Sequence, residues 1–154
     1  MTHKESVLAR LNWAFSSFGQ DLAALPEDAF DKGFGEKTRT VADIVYEVNL
    51  VNDHIGMTIR DEDPFEWPEG GWLKAPEGEK IKDVVIANFE KSRAKTMETA
   101  ESFSEEDLLK KIQTDQGDSN ILGQLYFIAW HVGYHSGQLN YIQTLIGDDG
   151  WHWS

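Results

Sequence analysis

Helical periodicity is the feature of this sequence that most restricts its fold. Apolar residues recur at three- and four-residue steps in four separate segments, which span residues 2 to about 26, 40–59, 81–103 and about 121–146. This spacing gathers apolar side chains on one face of an α-helix. No segment shows a convincing alternation typical of a strand. The pattern therefore predicts an all-α protein in which four amphipathic helices share a core.

Capping residues support the predicted helix ends. Thr40 is followed three residues later by Asp43, a spacing that favours a helix start, and Ser104 with Asp107 predicts a short extra turn. Gly147 follows the last apolar segment and suits a left-handed helix end. These signals place the boundaries within a few residues.

The length and the second connection constrain the topology. A chain of 154 residues with 40% apolar content is long enough for one core, so we expect a single domain over residues 1–154. The connection between helices two and three, over residues 60–80, contains three of the four prolines and three glycines. A connection of this length allows a topology other than simple up and down, and long loops are often functional.

Charge and composition exclude several classes of partner. The chain carries 14 basic and 27 acidic residues, a formal net charge of -13, which disfavours nucleic acid and anionic membranes. No apolar run is long enough for a membrane span, and no secretory signal is visible. The absence of cysteine removes thiolate sites and fits a reducing compartment. We expect a cytoplasmic protein.

The strongest candidate for chemistry is a histidine pair in the last helix. His131 and His135 are four residues apart, which places both side chains on one helical face at about 5–6 Å between Cβ atoms. Both imidazoles can then reach one divalent metal ion, but a site needs more than two ligands. The sequence offers two candidates on helix two, Glu47 and His54, which are seven residues apart on nearly the same side. The residues alone leave both candidates open.

The last helix also carries a family resemblance. The run HVGYHSGQ, from His131 to Gln138, resembles the H-x-x-x-H-x-G-Q signature of the DinB and YfiT-like four-helix proteins, and Thr40-Val41 resembles the start of their second helix. The resemblance implies an up-down-down-up bundle, frequent homodimers and a three-histidine site for nickel or zinc. Some members of the family are thiol-dependent S-transferases or isomerases, which implies a low-molecular-weight thiol as a further cofactor.

The sequence departs from the family pattern in helix two. The usual ligand position falls on Glu47, so either Glu47 replaces the histidine or His54 takes its place with a shift of register. We expect one of the two as the third metal ligand and the other as a general base or supporting residue. Tyr134 and Gln138 are candidates to orient the ligands.

The leading functional hypothesis is a metal-dependent enzyme, either a small-molecule hydrolase or a thiol S-transferase. The alternatives are a non-catalytic metal or ligand binder with a stress-linked or storage role, and a dimerising bundle with a degenerate site. The sequence has two further groups of tryptophans, Trp67 with Trp72 in the long connection and Trp151 with Trp153 in the tail. Each group could form the wall of a pocket over the metal, cover the end of the core or pack across a dimer contact.

Overall fold

A computed structural model describes residues 1–154 as four long helices, one short helix and a β-hairpin. The helices are α1 His3–Ala24, α2 Val41–Ile59, α3 Lys82–Ser102, α4 Glu105–Leu108 and α5 Ile121–Leu145, and the strands are β1 Lys111–Thr114 and β2 Gly117–Asn120. All four predicted long helices are present, with ends within about two residues of those expected from the sequence. The all-α class is confirmed.

Side chains cap the helix starts as the sequence predicts. The Thr40 hydroxyl accepts from the Asp43 backbone N–H at the start of α2, and Ser104 and Asp107 form a capping box at α4. At the other end of α5, Gly147 adopts φ 89°, a left-handed conformation that favours glycine. Each cap satisfies backbone groups that the helix leaves unpaired.

The contacts between helices define the topology. The Lys82 ammonium, at the start of α3, donates to the Leu25 carbonyl beyond the end of α1, so α1 and α3 are antiparallel. Ser6 and Tyr126 form a hydrogen bond between the first turns of α1 and α5, which are therefore parallel. A hydrogen bond joins the last turns of α2 and α3. The bundle is thus up-down-down-up, as the resemblance implied.

One contiguous apolar core fills the bundle. Its largest members include Phe15 and Phe18 of α1, which pack against Phe89 of α3 at ring-centroid distances of 6.0 and 5.0 Å. Each is fully buried, and burying such a side chain stabilises the fold by about 1.5–3 kcal/mol. Because α2 and α5 share this core, their relative positions are held firmly.

The β-hairpin corrects the expectation that no strand would be present. β1 and β2 pair antiparallel with Lys111 opposite Asn120 and Thr114 opposite Gly117. Each strand has only four residues, and β2 consists of Gly, Asp, Ser and Asn, which rarely form strands. Ile112 packs against the core, so tertiary contact compensates for the weak local preference.

The long connection between α2 and α3 is attached to the bundle. The backbone N–H of Ala75 donates to the Asp43 carboxylate at 2.8 Å, and Ala75 is buried. A single 3-10 turn at Glu77–Glu79 then leads into α3. This attachment holds the connection across the start of α2. Among the helices, none has the length and apolar content that a bilayer crossing requires.

Both chain ends contact the bundle. In the tail, Trp153 donates to the buried Asp21 carboxylate at 2.9 Å and packs edge-on against Trp13. The ring of His152 lies 2.8 Å from the Asp148 carboxylate. At the other end of the chain, the ring of His3 lies 2.7 Å from the Glu105 carboxylate. Trp153 therefore covers part of α1, whereas Trp151 is 78% exposed and packs against Trp153.

Candidate metal centre and adjoining cleft

The structure brings three of the four predicted ligands together. Glu47 lies on α2, and His131 and His135 lie on consecutive turns of α5 that face it. The two Nε2 atoms are 3.1 Å apart, and Glu47 Oε1 lies 3.7 Å from His131 Nε2 and 3.4 Å from His135 Nε2. The side chains are 14%, 10% and 1% exposed for Glu47, His131 and His135. The predicted histidine pair therefore converges on one carboxylate.

The geometry of the three donor atoms fits a divalent ion. Ligands that lie about 2.0–2.1 Å from a tetrahedral zinc ion are separated from each other by about 3.3 Å. The three observed separations of 3.1, 3.4 and 3.7 Å bracket that value. Two imidazole nitrogens and one carboxylate oxygen are also a donor set that zinc and nickel accept. The residues thus suit a three-ligand site that leaves further positions for water or substrate.

Gln138 orients one of the candidate ligands, His135. Its Oε1 lies 2.7 Å from His135 Nδ1, so the His135 Nδ1–H donates to it. The neutral ring then carries its lone pair on Nε2, the atom that faces Glu47 and His131. Such a hydrogen bond behind a histidine ligand is typical of metal sites. The expectation for Gln138 therefore has a structural basis, whereas Tyr134 only packs edge-on against His135 and is 51% exposed.

Arg39 is a member of the site that sequence reasoning missed. Its Nη2 donates to Glu47 Oε2 at 2.6 Å, so the arginine holds the oxygen that points away from the histidines. The arginine side chain is only 9% exposed, and Trp72 lies over it at 4.7 Å. Arg39 Nε and Nη1 are buried without an acceptor. The pair restricts Glu47 to presenting Oε1 alone.

The electrostatics favour the metal-binding protonation states. The adjacent rings of His131 and His135, aided by the charge of Arg39, hold the pKa of Glu47 far below its ordinary value despite burial. Burial lowers the pKa of His131, with Glu47 opposing the shift. At neutral pH the carboxylate is therefore ionised and the His131 ring neutral. Because an effective general base has a pKa near the working pH, Glu47 is better suited to be a ligand than a base.

His54, the other candidate on α2, does not join the three donors. It lies two turns beyond Glu47, about 10 Å along the helix axis, and its side chain is 15% exposed. Its Nε2 is 3.6 Å from Asp115 Oδ2 in the hairpin turn. Phe65 and Trp67 of the long connection pack edge-on against its ring at 5.2 and 5.8 Å.

An open cleft of about 500 Å³ adjoins the candidate metal centre. Its walls come from α2, the start of α5, the hairpin and the long connection, and both His54 and His131 line it. This volume lies within the range of about 300–1,000 Å³ that is typical of small-molecule sites. Trp67 forms part of the wall, as the sequence suggested, whereas Trp72 lies over Arg39 instead. A small molecule in this cleft would contact one ligand of the proposed ion directly.

Comparison with known proteins identifies the fold. No protein-family model matches the sequence, and no curated protein matches it. Solved structures do match. A DinB-like protein from Bacillus cereus is 14% identical with a TM-score of 0.76, over 93% of this chain and 92% of that one. A DinB-like protein from Bacillus subtilis is 13% identical with a TM-score of 0.73, over 97% and 98%.

A mycothiol-dependent maleylpyruvate isomerase matches more distantly. It is 14% identical with a TM-score of 0.64, and the match spans 90% of this chain but 63% of that protein. Likeness at such low identity establishes the fold and leaves the activity to be argued from the site. This chain therefore has the DinB-type fold, which confirms the resemblance read from the H-x-x-x-H-x-G-Q run.

Proposed function

We propose that this DinB-type bundle is a metal-dependent enzyme acting on a small molecule, either as a hydrolase or as a thiol S-transferase. The observation that carries the proposal is the triangle of Glu47 Oε1, His131 Nε2 and His135 Nε2 at ion-binding separations beside an open cleft. A divalent nickel or zinc ion bound there would polarise a substrate carbonyl and lower the pKa of a bound water or low-molecular-weight thiol.

The chain's own residues prepare the site for this chemistry. Gln138 keeps the lone pair of His135 on Nε2, and Arg39 keeps one oxygen of Glu47 turned away. The cleft admits the substrate from the side that His131 lines. Farther along α2, His54 faces the same cleft, where its ring can contact the substrate and accept or donate a proton at Nε2. His54 is therefore our candidate catalytic residue and Glu47 our candidate ligand.

A non-catalytic role is the competing candidate, and Arg39 is the observation that favours it. Because Arg39 already balances the charge of Glu47, the cluster is neutral without an ion, as a structural polar network would be. A bundle that only stores a metal, or that retains a degenerate site, would need no open cleft beside the cluster. The about 500 Å³ cleft beside His131 therefore favours the enzyme.

Two partner proposals accompany the function. We propose a homodimer, because α5 exposes an aromatic stripe at helical spacing, with Trp130, Tyr134 and Tyr141 exposed by 60%, 51% and 66%. We also propose small molecules rather than nucleic acid as partners, since the formal net charge is -13. A cytoplasmic location is a further part of the proposal, since the lack of cysteine fits a reducing compartment.

Activity of protein stripped of metal and then reloaded with zinc or nickel tests the enzyme proposal. The screen should pair hydrolysis of activated esters and amides with transfer of small thiols to an electrophile. We expect turnover only with metal, its loss in His135→Ala, and a fall in kcat with retained metal in His54→Ala. Turnover that survives metal removal, or the absence of any turnover in metal-loaded protein, would favour the non-catalytic binder.

A further inference from the structure

We propose that the cleft beside the metal centre selects a positively charged substrate, whose ammonium group binds between Asp115, Asp118 and the face of Trp67. This inference rests on the proposed function and deepens it, because it names the substrate class of the same site. Four features of the cleft support it: the charge of its wall, the unused acceptors there, its aromatic surface and an unpartnered ring nitrogen of His131.

The charge of the wall is uniformly negative. Two carboxylates, Asp115 and Asp118, line the cleft, and no lysine or arginine does. A carboxylate or phosphate group on a substrate would meet like charge at this end, which disfavours binding. The formal net charge of -13 adds to the same effect over a longer range.

The two carboxylates are free to accept. Asp115 lies in the hairpin turn with its side chain 79% exposed, and Asp118 is an exposed residue of β2. The nearest partner of Asp115 is His54 Nε2 at 3.6 Å, a separation too long for a hydrogen bond. Neither aspartate side chain therefore has a hydrogen-bond partner within the protein, so each can accept from an ammonium group.

Aromatic rings complete the surroundings of a cation. Trp67 lines the cleft with 43% of its residue surface exposed, and Phe65 stacks beside it at 6.4 Å. Phe127 lines another part of the wall, where it stacks on His131 at 6.0 Å. Cations are attracted to aromatic faces, and tryptophan is the strongest of them. Rings next to carboxylates are the chemistry that recognises an alkylammonium group.

His131, which lines the cleft, has one ring nitrogen without a partner. His131 lines the cleft with its side chain 10% exposed, and its Nδ1 is buried without a partner. When Nε2 of a neutral histidine acts as a ligand, Nδ1 carries the proton and needs an acceptor. A substrate oxygen, or a water held by the substrate, would supply it. The cleft thus suits a molecule with a polar acceptor at one end and an ammonium group at the other.

Three six-carbon probes test the charge preference directly. Hexylammonium, 1-hexanol and hexanoate share an alkyl chain and differ in charge, and their binding is followed by backbone amide shifts in a nitrogen-15 NMR titration. We expect hexylammonium to bind most tightly, to shift amides of the hairpin and of the α2 turn that carries His54, and to weaken in high salt. Hexanoate should show no saturable shift. Equal or tighter binding of hexanoate would overturn the proposal.

Variants separate the charge from the ring. Asp115→Asn and Asp118→Asn should each weaken hexylammonium binding by about 2–5-fold, as expected for exposed carboxylates, and should leave hexanol unchanged. Trp67→Leu keeps apolar contact but removes the ring, so it should lower the ratio of hexylammonium to hexanol affinity by about 2–5-fold. Glu36→Gln, which removes an equal charge that is 90% exposed on another loop, is the control and should change nothing. Unchanged affinity in the double aspartate variant would refute the site.

The same titration on metal-loaded and metal-free protein keeps the two proposals distinguishable. A preference for hexylammonium in a protein that binds no metal would leave the cation site standing and sink the metalloenzyme. Metal binding without any charge preference would do the reverse. Hexylammonium shifts confined to residues outside the cleft also count against the inference.

Discussion

Replacing Arg39 with methionine would leave the Glu47 carboxylate without its cation in a nearly buried site. The two side chains are 9% and 14% exposed, and the pair is joined at 2.6 Å. Removing one partner of such a pair costs about 3–5 kcal/mol. The variant also removes two buried N–H groups that have no acceptor, which offsets part of the loss. We therefore expect metal-free Arg39→Met to lose about 3 kcal/mol of unfolding free energy.

The assay is equilibrium denaturation of metal-free and zinc-loaded protein, with a double-mutant cycle. A loss of about 3 kcal/mol corresponds to a fall in Tm of about 6–12 °C for a chain of this size. Arg39→Met with Glu47→Gln should recover most of the loss, because no isolated charge remains. Zinc should stabilise Arg39→Met more than the wild type, since the ion takes over the unpaired carboxylate.

A surface arginine provides the control for this cycle. Arg93 lies on α3, is 28% exposed, contacts Glu90 at 3.8 Å and donates to Asn12 Oδ1 at 3.3 Å, so Arg93→Met should change stability by no more than about 1 kcal/mol. If Arg39→Met matched Arg93→Met, or if zinc stabilised Arg39→Met and wild type equally, the reasoning about the buried pair and its competition with an ion would be refuted.

Three further predictions concern pH, the tail and association. The folded-state pKa values of His131 and Glu47 are both lowered. The metal-free protein should therefore lose stability as pH falls below about 6.5 and again below about 4.5. Denaturation across that pH range measures this, and a flat profile would contradict it. Trp153→Phe removes a donor to the buried Asp21 carboxylate and should cost about 1.5–3 kcal/mol by urea denaturation, whereas an unchanged midpoint would show that the tail contact is dispensable. Trp130→Ser should convert a dimer to a monomer in analytical ultracentrifugation, and a wild type that is itself monomeric would refute the dimer.

The sequence was sufficient to predict the four long helices and the histidine pair of the candidate site. Helical periodicity and local caps depend on neighbouring residues, so α2 and α5 were predictable, and the spacing of His131 and His135 guaranteed a shared face. The choice between Glu47 and His54 was not predictable. Both project from the same side of α2, and only the axial alignment of α2 against α5 decides which lies level with the histidines.

Neither the role of Arg39 nor the hairpin could be predicted from local sequence patterns, and the reasons differ. Arg39 precedes the Thr40 cap and lies outside α2, so no helical spacing relates it to Glu47, and its direction depends on the preceding loop. The residues of β2 have low strand preference, and the hairpin exists because Ile112 reaches the core. As a result Asp115, which supplies part of the cleft wall, was not identified from the sequence.

Metal stoichiometry by inductively coupled plasma mass spectrometry tests the central claim most directly. The samples are untagged wild type, His131→Ala, His135→Ala, Glu47→Gln and His54→Ala, each supplied with zinc or nickel and shown to be folded by circular dichroism. We expect about one ion per chain in wild type and in His54→Ala, and little or none in the other three variants. Metal that is lost in His54→Ala but retained in Glu47→Gln, or a wild type that binds none, would contradict the three-ligand site.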